Sequence, residues 1–266
     1  FQENGKEVNK VLYISTKWFE KGTSPSATVF QTDPNEIVNN AVDTNLVCEA
    51  PKDLDPNDPC SVLDSGHDNP DLFMSCFDSI RQKLRLSSTG TAYATLSKLY
   101  SLPPSEQKFM AMVLTMHGEA RGTRPPEENM AAVMKVIENR TRYAQERSPG
   151  SSELDVVFQS SQFSMYNPRD PNWKAAITGS SEELANAIKV YAYRNSTYRC
   201  QQIKENVCHY HVPGIDKQDW MESRKIVNVT VNGERITEHQ FYAGVAWAFN
   251  PNNPYKNYAR RQGYIR

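Results

Sequence analysis

The spacing of apolar residues predicts a series of helices in the middle of the chain. Apolar side chains recur three or four positions apart in Asp71–Leu86, Thr91–Leu102 and Pro104–Arg121, as they do on one face of a helix. Another apolar stripe follows Pro126, a residue type that suits the first helical turn, and continues to about Tyr143. This part of the chain is therefore expected to be mainly helical.

The hydrophobic period changes toward the C-terminus. Ser180–Glu183 contains a capping box ahead of one more helical stripe. Apolar and polar residues then alternate in Lys225–Val231 and in Arg235–Tyr242, and Asn232-Gly233 between them favours a type I′ turn. Val207–Val212 is a third candidate strand. The pattern predicts an α+β fold, mainly α, with a small antiparallel sheet.

The N-terminal part has a different composition. Its first 66 residues are rich in Asp, Asn, Pro and Ser, and Ala50–Pro59 has the composition of a loop. Lys10–Phe19 fits a short strand or helix. We expect residues 1–86 to form an irregular extension that wraps a folded domain of residues 87–266.

Charge and hydropathy exclude several classes of protein. No apolar run approaches the roughly 20 residues needed to cross a bilayer, so no membrane span is expected. Residues 1–86 carry 8 Lys/Arg against 14 Asp/Glu, whereas residues 87–266 carry 22 against 17. The second part is mildly basic and suits a polyanionic partner. It lacks the clustered cations of a nucleic-acid-binding protein.

Five cysteines bear on the cellular compartment. None forms a CxxC pair, so no zinc site is expected. Cys200 and Cys208 would close a short loop, and two of Cys48, Cys60 and Cys76 would form another disulfide. This favours an oxidising compartment, with five buried thiols as the alternative. A chain that begins with Phe1 further suggests a secreted or periplasmic protein whose signal peptide has been removed.

Glu119 is the candidate of greatest chemical interest. It lies near the end of the predicted helix Pro104–Arg121, where Gly122 can adopt a left-handed conformation. A carboxyl in that place can pack against apolar side chains, which raises its pKa, as the general acid of a glycosidase requires. The alternative is an ordinary surface carboxylate.

Several motifs in order resemble the spore-cortex-lytic (SleB-like) family of cell-wall hydrolases. They span roughly residues 105–245 and comprise Gly118-Glu119-Ala120-Arg121-Gly122, Glu128–Val133, Val136–Arg140, Val156–Gln159, Gln162-Phe163-Ser164, His209-Tyr210-His211, Trp220 and Glu238–Tyr242. The resemblance implies a lysozyme-like catalytic domain over residues 87–266. It also implies peptidoglycan as the substrate and cleavage of the glycan strand by Glu119, with no cofactor or metal. We expect the protein to be a monomer.

The sequence departs from the family pattern where a second acid would be expected. Many relatives carry an acid directly after Arg-Gly, where this chain has Thr123, and the usual glycine before the next helix is Asn129. Glu128 is the first candidate for a second catalytic carboxylate and Glu127 is the second. The alternative is that both are helix N-terminal charges favoured by the helix dipole.

Seven further residues are candidates for binding the sugar chain. Their side chains can donate hydrogen bonds to sugars or pack against sugar rings, and the set comprises Gln162, Ser164, Tyr166, His209, Tyr210, His211 and Tyr242. For each of them a role in the core or in a capped loop is the alternative. A metal site built from His117, His209, His211 and His239 is not supported, since no HExxH motif is present.

These residues lead to several hypotheses of function. The first is a muramidase-type glycosidase, and the second is a lytic transglycosylase in which Glu119 is the sole acid and base. The others are a non-catalytic wall-binding protein and a cysteine enzyme that uses Cys208 beside His209. The acidic pair Glu127-Glu128 further suggests a preference for N-deacetylated peptidoglycan, as in certain secreted lysozymes of predatory bacteria.

Overall fold

The computed structural model describes two compact units, residues 1–49 and residues 50–266. The residues it describes are 2–3, 6–7, 52–160, 162–178, 181–198, 203, 206–214, 220–245 and 247–266. In the first unit, strands β1 (Gln2–Glu3) and β2 (Lys6–Glu7) pair antiparallel. Three features of the sequence analysis, Lys10–Phe19, Cys48 and Cys200, lie outside the described residues.

The second unit contains the predicted series of helices. In chain order they are α1 (Pro70–Lys83), α2 (Ala92–Leu96), α3 (Pro104–Ala120), α4 (Pro126–Arg147), α5 (Glu153–Val157), α6 (Asn172–Thr178), α7 (Glu182–Ala192) and α8 (Pro254–Arg261). Helix α2 is shorter than predicted, because the chain tightens into a 3-10 helix over Ser97–Ser101. The side chain of Ser181 caps α7 by accepting a hydrogen bond from the Leu184 amide, so the cap is one residue later than expected.

Helix α3 forms the centre of the unit. The sequence predicted an amphipathic helix, but side chains on all its sides are buried, including Met110, Ala111 and Leu114. The physical reason is that α4, α5, α6 and α7 all pack against it. The last turn of α3, which carries Glu119, is therefore held by several neighbouring elements.

The C-terminal strands form two small antiparallel sheets. Strands β5 (Thr230–Val231) and β6 (Glu234–Arg235) flank the turn, where Asn232 and Gly233 have φ angles of 51° and 84°. These positive φ angles fit the predicted type I′ turn. The predicted hairpin does not continue as one ladder. Its outer parts are β4 (Ile226–Val227) and β7 (Gln240–Ala243), which join β3 (Val207–His211) in the order β3-β7-β4.

One disulfide joins the first elements of the unit. Cys60, in a 3-10 helix over Pro59–Asp64, is bonded to Cys76 of α1, which confirms one of the pairings left open by the sequence. The predicted Cys200–Cys208 disulfide is wrong, because Cys208 has a free and buried thiol. Its backbone lies in β3, and its carbonyl accepts a hydrogen bond from Arg140 of α4.

The α+β, mainly α architecture is confirmed. Residues 50–86, which the sequence analysis assigned to the extension, lie in the second unit. There Phe73 of α1 packs against Phe109 of α3 and Tyr191 of α7, with ring centroids 6.0 and 5.8 Å apart. Among the described helices, none has both the length and the apolar content that a membrane crossing needs.

Candidate active site

Glu119 lies in the last turn of α3, next to a well-defined helix end. Gly122 has a φ of +80°, the left-handed conformation expected from the sequence. The amide and the hydroxyl of Thr123 both donate to the Ala120 carbonyl, at 3.2 and 2.7 Å. Arg121 turns outward and donates to the Asn172 side chain at 2.8 Å. Arg121 and Thr123 thus shape the end of α3 without contacting the Glu119 carboxyl.

Three donors from two other segments surround the Glu119 carboxyl. The Ser164 hydroxyl and the Met165 amide each lie 3.4 Å from Oε1. The Tyr210 hydroxyl, from β3, lies 3.4 Å from Oε2. Burial and the neighbouring Glu119 raise the pKa of Tyr210, so its phenol remains a donor. The two oxygens of one carboxyl therefore contact two different segments of the chain.

Burial dominates the electrostatics of Glu119. It raises the pKa of this carboxyl, while the hydrogen bonds from Met165, Ser164 and Tyr210 and the charge of Arg140 oppose the shift. The raised pKa follows because removing a carboxylate from water costs more than these long hydrogen bonds return. Glu119 therefore has the property that the sequence analysis expected of a general acid.

Gly118 allows the Met165 amide to approach Glu119. A methyl group at position 118 would lie 2.2 Å from the Met165 sulfur and 2.9 Å from its Cβ. Met165 is fully buried and has little room to move. The glycine before Glu119 is thus explained by close packing against the segment that supplies two of the three donors.

A buried chain of hydrogen bonds supports the Glu119 backbone. The Asn129 side chain donates to the Pro125 carbonyl at 2.7 Å, and its Oδ1 lies 3.0 Å from His239 Nδ1. His239 in turn hydrogen-bonds the backbone of Glu119. Burial lowers the pKa of His239 to about 4, so this imidazole is neutral near neutral pH. Asn129, at the position where the family resemblance led us to expect glycine, thus has a structural partner here.

The two proposed second carboxylates differ in their surroundings. Glu127 accepts from the Lys189 ammonium at 2.8 Å and from the Tyr198 hydroxyl. Glu128 is half-buried, and its carboxyl makes no hydrogen bond or ion pair with the part of the chain that the structure describes. Neither is a partner of the Glu119 carboxyl, whose hydrogen bonds come from Ser164, Met165 and Tyr210.

Four of the seven sugar-binding candidates fall into two groups. Tyr166 is buried, and its hydroxyl lies 2.8 Å from the Thr115 hydroxyl. Gln162 accepts from the Trp247 indole at 2.8 Å, so it connects its loop to the C-terminal segment. The structure therefore gives Tyr166 and Gln162 packing partners, whereas Ser164 and Tyr210 contact Glu119 directly.

His209, His211 and Tyr242 lie on the other face of the sheet from Tyr210. Successive side chains of a strand point to opposite faces, and these three gather around Trp220. His211 Nε2 lies 2.7 Å from the Tyr242 hydroxyl. Burial, with a smaller effect from Arg140, lowers the pKa of His209 to about 4. Strand β3 thus carries Tyr210 on one face and two residues of this aromatic group on the other.

The described residues provide little support for a metal-binding site or for a cysteine nucleophile. Within these residues no group of three His, Cys, Asp or Glu side chains is arranged to hold a metal ion. His117 instead lies 3.2 Å from the Ser181 hydroxyl at the start of α7. Burial raises the pKa of the Cys208 thiol, which opposes the thiolate that a nucleophile needs.

The role of Arg140 was not predicted from the sequence. This residue occupies an inward position of α4, in the apolar stripe of Val133, Ile137 and Ala144, and it is 4% exposed. A cation within an apolar stripe is the signal that identifies such a residue from sequence. The Met165 amide, by contrast, has no side-chain signature.

A part of the chain that contributes to this site matches a known protein family. Residues 124–242 match the family model described as Cell Wall Hydrolase. Searches of curated proteins and of solved structures found no match. The matched segment begins after Glu119, and it includes α4, the Ser164–Tyr166 turn and β3. The segment that supplies the partners of Glu119 is therefore similar to cell wall hydrolases, which supports an enzyme that acts on the wall polymer.

Proposed function

We propose that this protein cleaves the glycan strand of peptidoglycan, at the β-1,4 bond between N-acetylmuramic acid and N-acetylglucosamine, with Glu119 as the general acid. The observation that carries the proposal is the half-buried Glu119 carboxyl with its raised pKa and its three donors. The match of residues 124–242 to cell wall hydrolases supports peptidoglycan as the substrate. A secreted or periplasmic location agrees with this substrate and with the Cys60–Cys76 disulfide.

The chemistry follows from the two states of Glu119. The protonated carboxyl delivers its proton to the leaving glycosidic oxygen while positive charge develops at the anomeric carbon. The carboxylate that remains is stabilised by Ser164, the Met165 amide and Tyr210, since each of them donates a hydrogen bond. Burial thus favours the acid before proton transfer, and the donors favour its conjugate base afterwards.

The surroundings of Glu119 favour a lytic transglycosylase as the second candidate. A hydrolase needs a second carboxylate to activate water or stabilise the oxocarbenium ion. Among the described residues, Glu127 is engaged by Lys189 and Tyr198, Glu128 is not a partner of the Glu119 carboxyl, and Thr123 stands where the family resemblance led us to expect an acid. A transglycosylase needs only Glu119, which takes a proton back as the 6-hydroxyl of the sugar attacks.

The mass of the released fragments tests both candidates. We expect digestion of purified peptidoglycan to release fragments cut within the glycan strand. In a transglycosylase these carry 1,6-anhydro ends, which are lighter by one water than the reducing ends of a hydrolase. Mass spectrometry with and without borohydride reduction distinguishes the two, because only reducing ends gain hydrogen. Fragments cut only in the peptide stems would contradict the proposal.

The structure changes the basis of the predicted preference for a deacetylated wall. The Lys189 ammonium offsets the charge of Glu127, so an attraction for free amino sugars now depends on Glu128. The preference stays a prediction, and the same digestion run on N-acetylated and N-deacetylated peptidoglycan tests it. Equal or greater release from the acetylated wall would rule it out.

A further inference from the structure

Arg140 lies between the two segments that contact the Glu119 carboxyl. Its Nε donates to the Cys208 carbonyl at 2.7 Å, and Cys208 belongs to β3, the strand that carries Tyr210. Its guanidinium carbon lies 4.9 Å from the centroid of the Phe163 ring. Phe163 directly precedes Ser164, so one side chain from α4 contacts both of these segments.

The surroundings of Arg140 are unusual for a structural cation. The residue is 4% exposed, and within the described residues it forms no ion pair and its Nη1 has no hydrogen-bond partner. Burying a cation without a carboxylate partner is costly. The Phe163 and Trp247 rings, at 4.9 and 5.6 Å, offset part of this cost. A purely apolar residue would fill the same place without that cost.

We propose that Arg140 is a positioning residue for the reaction of Glu119. It holds β3 and the Phe163–Met165 segment at the separation at which Tyr210 and the Ser164–Met165 pair reach opposite oxygens of one carboxyl. Its neighbour Asn139 assists by donating to the Val207 carbonyl at 2.9 Å. This inference rests on the proposed function, in which Glu119 is the general acid.

The charge of Arg140 adds an electrostatic role to this geometry. Its positive charge lowers the pKa of Glu119, against the larger effect of burial. Glu119 in turn favours the charged form of Arg140. The guanidinium therefore stabilises the carboxylate that remains once the proton has moved to the leaving oxygen, and it keeps the acid from binding its proton too tightly.

Two substitutions of Arg140 separate its role in positioning the donors of Glu119 from the effect of its charge. We expect Arg140→Gln to lower kcat about 100-fold, because the donors of Glu119 lose their alignment. The alkaline limb of its pH profile, over which kcat falls, should move to higher pH, since the charge that lowers the Glu119 pKa is gone. Arg140→Lys keeps the charge, so its limb should stay near that of the wild type while kcat falls about tenfold. Arg147→Gln, an exposed change of the same charge on α4, is the control that should leave both unchanged.

The measurements are kcat and KM for a soluble glycan fragment over a range of pH, with thermal unfolding of each variant. A folded Arg140→Gln enzyme with wild-type kcat, or with reduced kcat and an unmoved limb, would overturn the inference. If this variant does not fold, Arg140→Lys and Phe163→Leu decide, and each should lose about tenfold in kcat at a nearly unchanged KM. Wild-type kcat in both would also overturn it. Failure of the proposed function has another signature, which is full activity of Glu119→Gln.

Discussion

Replacing Glu119 with Gln is expected to lower kcat for peptidoglycan cleavage by about 10³-fold, within the range that general acid catalysis contributes. Gln has the shape of the protonated acid: its amide oxygen can accept the hydrogen bonds that reach Oε1, and its amide nitrogen can donate to the Tyr210 oxygen, but it has no acidic proton to deliver. Binding should therefore survive, and KM should change little. Release of soluble fragments from purified peptidoglycan measures the rate.

The stability of the Glu119→Gln variant is the control for its fold. A carboxyl with a raised pKa stabilises the fold fully below its ordinary pKa, and this contribution is lost as the pH rises through the raised value. Neutral Gln has no such loss, so the variant should be at least as stable as the wild type at neutral pH. Glu146→Gln, an exposed change on α4, should leave the rate unaffected. A wall-binding protein would keep its affinity and show no turnover to lose.

Removing the Cys60–Cys76 disulfide is expected to lower the free energy of unfolding by about 3 kcal/mol, the value for a closed loop of this length. The bond spans 16 positions and joins the Pro59–Asp64 3-10 helix to α1. Helix α1 packs on α3 through Phe73, Phe77 and Phe109. The loss of stability should therefore extend to α3, which carries Glu119. Urea unfolding of a Cys60→Ser, Cys76→Ser double variant measures it.

Reduction of the wild type provides the matched control for this prediction. A reductant should lower the urea midpoint of the wild type to that of the double variant and leave the variant itself unchanged. Cys208 does not complicate the comparison, because its thiol is free in the wild type and the two substitutions do not alter this residue. An unchanged midpoint in the reduced wild type would show that the disulfide contributes nothing to stability.

The local features of this fold were predictable because each depends on near neighbours in sequence. The spacing of apolar residues located α3 and α4, and Asn232-Gly233 located the type I′ turn. The end of α3 at Ala120 followed from the glycine at position 122. These features place Glu119 at a helix end with no knowledge of the rest of the chain.

Features that depend on tertiary contacts were not predictable. The choice of Cys60 and Cys76 over Cys48 depends on how the 3-10 helix lies against α1. The full burial of α3 depends on helices that come later in the chain. The orientation of β3 decides that Tyr210, and not His209, contacts Glu119. Spacing in sequence identified the group of candidates, but only packing selected among them.

The site is assembled from elements that are distant in sequence. Helix α3 provides Glu119, the turn after α5 provides Ser164 and the Met165 amide, and β3 provides Tyr210. The raised pKa of Glu119 comes from this assembly, because burial requires all the segments together. We therefore expect the general acid to be sensitive to changes that never contact it.

The dependence of kcat on pH tests the role of Glu119 as a protonated acid most directly. Glu119 is protonated and can act as an acid below its pKa. It loses this proton, and kcat falls, as the pH rises through that value. We predict that wild-type kcat falls on the alkaline side with a pKa clearly above the value of about 4.3 for an ordinary Glu. The residual activity of Glu119→Gln should lack this limb. A wild-type limb at the ordinary Glu value, or the same limb in Glu119→Gln, would contradict the account.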